Sequence, residues 1–218
     1  VDNADIETTG SVRTAVRAGD HAALLVKNSR IAGHEGDTTD FKVGVMNTVP
    51  WPLGLSGNLR TTNLLDYANV TYLNCHISSE KWGVLSTDGT WKGSGLQVIN
   101  SVARVTGNSG YGTYSDMSAI NHYYGAEFHV PSYGLIVGGG GKCGAVFGCT
   151  TRENVPEYYD EIPPERRDAP CKIFSAHVGV LWHSNLGGTV SLEPGTEFSC
   201  GHQVFLMKGA KGHPVRPI

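Results

Sequence analysis

Apolar and polar residues along this chain follow a period of two inside a much longer repeat. One short phrase recurs: Val1-Asp2-Asn3-Ala4-Asp5-Ile6, Val26-Lys27-Asn28-Ser29-Arg30-Ile31 and Tyr72-Leu73-Asn74-Cys75-His76-Ile77. Val98-Ile99-Asn100-Ser101-Val102-Ala103 continues it, and Tyr123-Tyr124-Gly125-Ala126-Glu127-Phe128 fits with glycine in the asparagine position. The steps from Asn3 through Asn28, Asn74 and Asn100 to Gly125 are 25, 46, 26 and 25 residues. A period near 25, with the 46 read as two rungs, is too long for a strand and suits a coil of three short strands and three turns, the unit of a β-solenoid. Alternation points Ala4, Ser29, Cys75, Ser101 and Ala126 inward, with Ile6, Ile31, Ile77 and Phe128. Asp5, Arg30, His76 and Glu127 then point outward as a column about 4.8 Å per coil apart.

A second phrase follows: Trp82-Gly83-Val84, Tyr111-Gly112-Thr113 and Tyr133-Gly134-Leu135, echoed at His177-Val178-Gly179-Val180 and His202-Gln203-Val204-Phe205. Gly83 to Gly112 is 29 residues, Gly112 to Gly134 is 22, and Gly134 to Gly179 is 45, about two coils. The run from Gly188 to Phe198 alternates cleanly through a Pro194-Gly195 turn and reads as a late coil.

Asn3, Asn28, Asn74 and Asn100 resemble the stacked asparagines of the pectate-lyase-like right-handed parallel β-helices, in which one side-chain amide can bond the next. The resemblance covers most of residues 1–137 and returns at 172–209. It implies an all-β, right-handed parallel β-helix with coils of about 22–29 residues. Residues 1–137 are read as coils, 138–171 as a Gly/Pro-rich loop excursion, and 172–218 as C-terminal coils and tail. Gly138 to Gly141, followed by Pro156, Pro163 and Pro164, ends the packed pattern there. Pro50 and Pro52 mark a smaller excursion near Trp51, and Pro214 and Pro217 a tail after Lys208. Because Asn3 already belongs to the ladder, a missing coil, a second chain or a homo-oligomer contact is expected over the N-terminal end.

Composition agrees with that fold: 29 glycines and 17% charged residues in 218 residues favour turn-rich β structure. A net charge of −3 without a basic block excludes the electrostatic footprint of a nucleic-acid binder. No apolar run approaches the roughly eighteen residues of a membrane helix. Cys75, Cys143, Cys149, Cys171 and Cys200 lack paired spacing for zinc, and no cofactor or metal is expected. Cys143, Cys149 and Cys171 flank the excursion, where a disulfide would fix a loop. The sequon Asn69-Val70-Thr71 adds to a secreted or cell-surface reading.

Candidate chemistry lies in stacked columns. Asp88 and Asp116 follow similar serine-containing phrases and suit an acid and base for glycoside cleavage, or else cap turns. Arg104, His122 and His129 could join them. Trp82, Tyr111 and Tyr133 would stack in register, either as platforms for sugar rings or as a rigidifying stack, with His76 and Glu127 lining the same polymer track or a plain solvated face. His34 and Glu35, followed by Asp37 and Asp40, form the densest ionisable loop, read as a surface turn. The polygalacturonase-type set Asn-Thr-Asp, Gly-Asp-Asp, Gly-His-Gly and Arg-Ile-Lys is absent, as is the pectate-lyase Arg-x-Pro-x-x-Arg pattern. The expected function is an extracellular polysaccharide lyase or glycoside hydrolase holding a glycan along the solenoid face. The alternative is a non-catalytic adhesin, tailspike-like or structural surface protein.

Overall fold

The computed structural model describes residues 1–10, 13–36, 55, 57, 59–88, 93–116, 118–138, 143–183 and 188–208, the side chains of residues 183 and 208 excepted. Asp37, Asp40, Pro50, Trp51, Pro52, Gly139 to Gly141 and the tail with Pro214 and Pro217 lie outside the described residues.

The chain winds as a right-handed parallel β-helix with three all-parallel sheets. The first sheet holds β1 (Asp5–Thr9), β4 (Arg30–His34), β7 (His76–Ser79), β10 (Val102–Val105), β13 (Glu127–Val130), β16 (Lys172–Ser175) and β19 (Glu197–Cys200), in that order. The second holds β2 (Val16–Ala18), β5 (Arg60–Leu64), β8 (Trp82–Thr87), β11 (Gly110–Ser115), β14 (Tyr133–Gly138), β17 (Val178–His183) and β20 (Gln203–Lys208). The third holds β3 (Ala23–Lys27), β6 (Asn69–Leu73), β9 (Gly95–Ile99), β12 (Ile120–Tyr124), β15 (Gly144–Gly148) and β18 (Thr189–Leu192).

The repeated phrase sits at the turn from the third sheet to the first. Asn3, Asn28, Asn74 and Asn100 have φ of 53°, 52°, 54° and 43°, and Gly125 has 59°. This left-handed conformation is what asparagine and glycine tolerate best, which explains why glycine can replace asparagine in the repeat. Asn100 donates to Asn74 at 2.8 Å, and Asn74 to Asn28 at 3.2 Å. Asn28 then donates to Asp2 rather than Asn3, at 2.8 Å. One residue on, Ser29, Cys75, Ser101, Ala126 and Cys171 are buried, and Cys75 N–H donates to Ser101 Oγ at 2.9 Å.

Inside, register stacks Ile6, Ile31, Ile77, Ala103, Phe128, Ile173 and Phe198 in one column of the first sheet. The third sheet adds Val26, Tyr72, Val98, Tyr123 and Phe147. Side chains from successive coils fill the interior as continuous apolar columns, so each coil buries its neighbour's inner face.

Two expectations about coil number are corrected. Arg30 pairs directly with His76, so the 46-residue step is one coil with a long insertion between β4 and β5. Tyr133 likewise pairs with Val178, so the 45-residue step is one coil enlarged by an insertion after β15. Insertions at turns lengthen a coil without altering its hydrogen-bonded register. The strand β15 also falls inside the 138–171 span, and residues 149–170, which follow it, hold no strand.

That excursion folds back along the solenoid. Its Val155 and Ile162 are buried against Leu73, Ile99 and Tyr124, which face outward from the third sheet. The Glu161 carbonyl accepts from Asn74 at 3.0 Å. Arg166 donates to Asn100 Oδ1 at 3.0 Å and to the Gly125 carbonyl at 3.4 Å, and pairs with Glu127 at 3.0 Å. Arg166 thus continues the polar ladder where no further asparagine follows.

Candidate functional site

Three strands per coil decide which candidates can meet. Thr87 pairs with Ser115, so Asp88 and Asp116 follow equivalent positions of β8 and β11 on adjacent coils. Arg104 is exposed on the first sheet, where its partners are Ser78 and His129. His122 lies on the third, between Gln97 and Val146, with Nδ1 3.0 Å from the Tyr124 hydroxyl. Of the four candidate catalytic residues, only the two aspartates therefore follow strands of the same sheet. Burial lowers the His122 pKa, and the Glu193 charge opposes that shift.

Around Asp88 the outer face of the second sheet is densely polar. Its carboxylate pairs with Arg60 at 2.6 Å and accepts from Asn63 Nδ2 at 3.2 Å. Both partners come from β5, one coil away. Tyr111 Oη lies 2.8 Å from Ser86 Oγ, and Tyr114 borders the same cluster. Burial pushes both phenols upward, and for Tyr114 the Asp116 charge adds to it, so both remain neutral hydroxyls. Asp116 is fixed through its backbone N–H, which donates to Thr87 Oγ1 at 3.3 Å. Arg60 Nε and Asn63 Oδ1 are buried and have no hydrogen-bond partner among the described residues. Unused buried polar capacity is rare in folded proteins.

The aromatic triad is corrected in two respects. Tyr111 pairs with Gly83 and Tyr133, whereas Trp82 pairs with Gly110, so the second phrase slips by one residue. Trp82, with φ of 61°, packs edge-on to Tyr111 at 6.3 Å between ring centroids. The Tyr111 ring occupies the space where a side chain on Gly83 would stand. Trp82 and Tyr111 are buried, at 5% and 1% exposure, with Leu55 in the same cluster, and offer no open platform. Tyr133 is half-buried.

The outward column is in register as expected: Asp5, Arg30, His76, Val102, Glu127, Lys172 and Glu197. Much of it is internally paired. Arg30 engages Asp5 at 2.9 Å and also Glu7, Lys172 engages Glu197 at 3.5 Å, and Glu127 is held by Arg166. His76 is exposed. Glu35 is 3% exposed rather than part of a surface turn, and its N–H donates to Glu80 at 2.8 Å.

Sequence reasoning missed Arg60, Asn63 and Tyr114. The signal was available in the alternation of Leu59-Arg60-Thr61-Thr62-Asn63-Leu64 and in the 28 residues from Arg60 to Asp88, the same one-coil step that separates Asp88 from Asp116. Among the described residues no group of three or more His, Cys, Asp or Glu could hold a metal ion, and no helix is long and apolar enough to cross a membrane.

Stacked in-register coils with a ladder of side-chain amides define the class of protein: a parallel β-helix. No family model, curated protein or solved structure matches the chain.

Proposed function

We propose that this chain is an extracellular carbohydrate-active β-helix that holds a polysaccharide against the outer face of the second sheet and acts on a glycosidic bond with Asp88 and Asp116. The observation that carries the reading is the placement of these two carboxylates on adjacent coils beside a half-buried guanidinium. Coil spacing of about 4.8 Å is close to the separation of roughly 5 Å between carboxyl groups that suits a double-displacement glycosidase. Arg60 and Asn63 orient Asp88 as the nucleophile, and Asp116, on the next coil beside Tyr114, takes the part of general acid and base. Secretion is supported by the exposed side chain of Asn69 in the sequon.

A non-catalytic glycan-binding surface is the second reading. It is favoured by one observation: Asp88 Oδ2 already accepts from both Arg60 and Asn63.

Incubation with a panel of neutral and acidic polysaccharides, read for new reducing ends and unsaturated products, tests the reading. Release of product by the wild type, abolished in Asp88→Asn and Asp116→Asn variants that still bind, is the expected result. Binding without product from any panel member would establish the second reading. Wild-type turnover in both variants would remove these aspartates from the chemistry.

A further inference from the structure

The register around the excursion isolates two thiols. In the preceding coil Tyr124 is followed by Gly125, Ala126 and Glu127. Their partners in the enlarged coil are Gly148 for Tyr124 and Lys172 for Glu127. The two positions that a regular coil fills with consecutive residues are here Cys149 and Cys171, with residues 150–170 inserted between them.

Hydrogen bonds close the neck of that insertion. Thr150 N–H donates to the Ala169 carbonyl at 3.0 Å, Asp168 N–H to the Thr150 carbonyl at 3.2 Å, and Ala169 N–H to Thr150 Oγ1 at 3.0 Å. A Cβ placed on Gly195 would lie 3.0 Å from Cys149 Sγ and 3.6 Å from Cβ of Pro170. Cys149 Sγ donates to the Pro194 carbonyl at 3.3 Å and so sits at Gly195, which Pro170, the residue before Cys171, also borders. Consecutive Cα atoms are about 3.8 Å apart, and disulfides span Cα separations of about 4.4–6.8 Å. The neck hydrogen bonds hold residues 150 and 169 side by side, so the chain leaves the solenoid at Cys149 and re-enters it at Cys171 from one point.

We propose that Cys149 and Cys171 are a disulfide-forming pair that locks the excursion onto the solenoid. Both are free thiols in the structure, Cys149 half-buried and Cys171 buried. The oxidant is a low-molecular-weight disulfide. The Cys149 thiolate attacks it, expels one small thiol and forms a mixed disulfide. The Cys171 sulfur then displaces the second small thiol, which carries off the Cys171 proton as it leaves. Two protein thiols lose two protons and two electrons, and the small disulfide is reduced to two thiols. Burial raises both protein thiols, Cys171 the more strongly, so closure speeds up as pH rises. Once formed, the bond holds Arg166 on the asparagine ladder and Val155 and Ile162 on the third sheet even if the excursion is cut.

The test treats the folded protein with oxidised glutathione at mildly alkaline pH, alkylates the remaining thiols, and maps tryptic peptides with and without reductant. The expected result is a linked peptide pair containing Cys149 and Cys171, loss of two hydrogens from the intact mass, and a melting temperature raised by several degrees. That rise is absent in Cys149→Ser. In Cys171→Ala, which takes the residue that the preceding coil carries as Ala126, the rise is also absent. Trypsin cleavage after Arg152 or Arg167 leaves the oxidised halves joined until reductant is added. Stable glutathionylation of Cys149 with Cys171 still alkylatable, or a bond from Cys149 to Cys143 or Cys200, overturns the proposal. The peptide map of the wild type decides the question even if a variant fails to fold.

Discussion

Replacing Asn74 separates the two things an asparagine ladder contributes. Its side chain donates to Asn28 Oδ1 at 3.2 Å and to the Glu161 carbonyl at 3.0 Å, and accepts from Asn100 at 2.8 Å. Each such bond contributes about 0.5–1.5 kcal/mol net, and because these are partly exposed their loss sums to about 2 kcal/mol. The backbone at φ 54° adds a steric cost of about 1–2 kcal/mol for an ordinary L-residue, which glycine avoids at the expense of about 0.5–1 kcal/mol of chain entropy. Asn74→Ala is therefore expected to lower stability by about 3–4 kcal/mol, or roughly 6–16 °C in Tm for a chain of this size, and Asn74→Gly by about 2.5–3 kcal/mol. Urea unfolding and thermal melts of the three proteins measure both quantities. If alanine proved no worse than glycine, the left-handed backbone would carry none of the selection for asparagine. If both lay within about 0.5 kcal/mol of wild type, the ladder would be geometry without energetic weight.

Gly83→Ala places a methyl group where the Tyr111 ring already stands and should cost about 1–3 kcal/mol in thermal or urea unfolding, as overpacking does. An unchanged melt would mean that the ring is not seated on β8. Arg166→Ala removes the contacts to Asn100, the Gly125 carbonyl and Glu127. Amide exchange at residues 155–162 should accelerate while the interior strands keep their protection, and uniform acceleration would show that the excursion does not open as a separate unit. For His122 the folded state lowers the pKa below its ordinary 6.5. The stability that follows from keeping it neutral is complete above that value and is lost as pH falls toward the lowered folded value. His122→Gln should show a smaller loss between neutral and mildly acidic pH, and equal losses in both proteins would place the sensitivity elsewhere.

The ladder and the inner columns were legible in the sequence because every coil imposes the same constraints. An asparagine or glycine must take the left-handed turn, a small residue must follow it, and an apolar residue must come two positions later. The insertions were not legible in the same way, since residue counting cannot separate an extra rung from a long turn. Hydrogen bonds make that distinction: Arg30 beside His76, and Tyr133 beside Val178. The aromatic phrase misled for a related reason, because Gly110, at φ 153°, lies opposite Trp82 and shifts the following tyrosine by one position.

The candidate site follows the same logic. Asp88 and Asp116 are 28 residues apart, about one coil, and each directly follows one of the paired residues Thr87 and Ser115. Arg104 and His122 are only 18 apart, less than a coil, and so stand on different sheets. In a solenoid, closeness in sequence argues against a shared site unless the separation is near zero or near a whole coil, insertions included. Arg60 satisfies that rule with Asp88 once β5 is placed directly before β8, and the guanidinium then falls against the carboxylate it orients. A search for partners of Asp88 and Asp116 should therefore move one coil at a time along the second sheet, which leads to Asn63 and Tyr114 and away from Arg104.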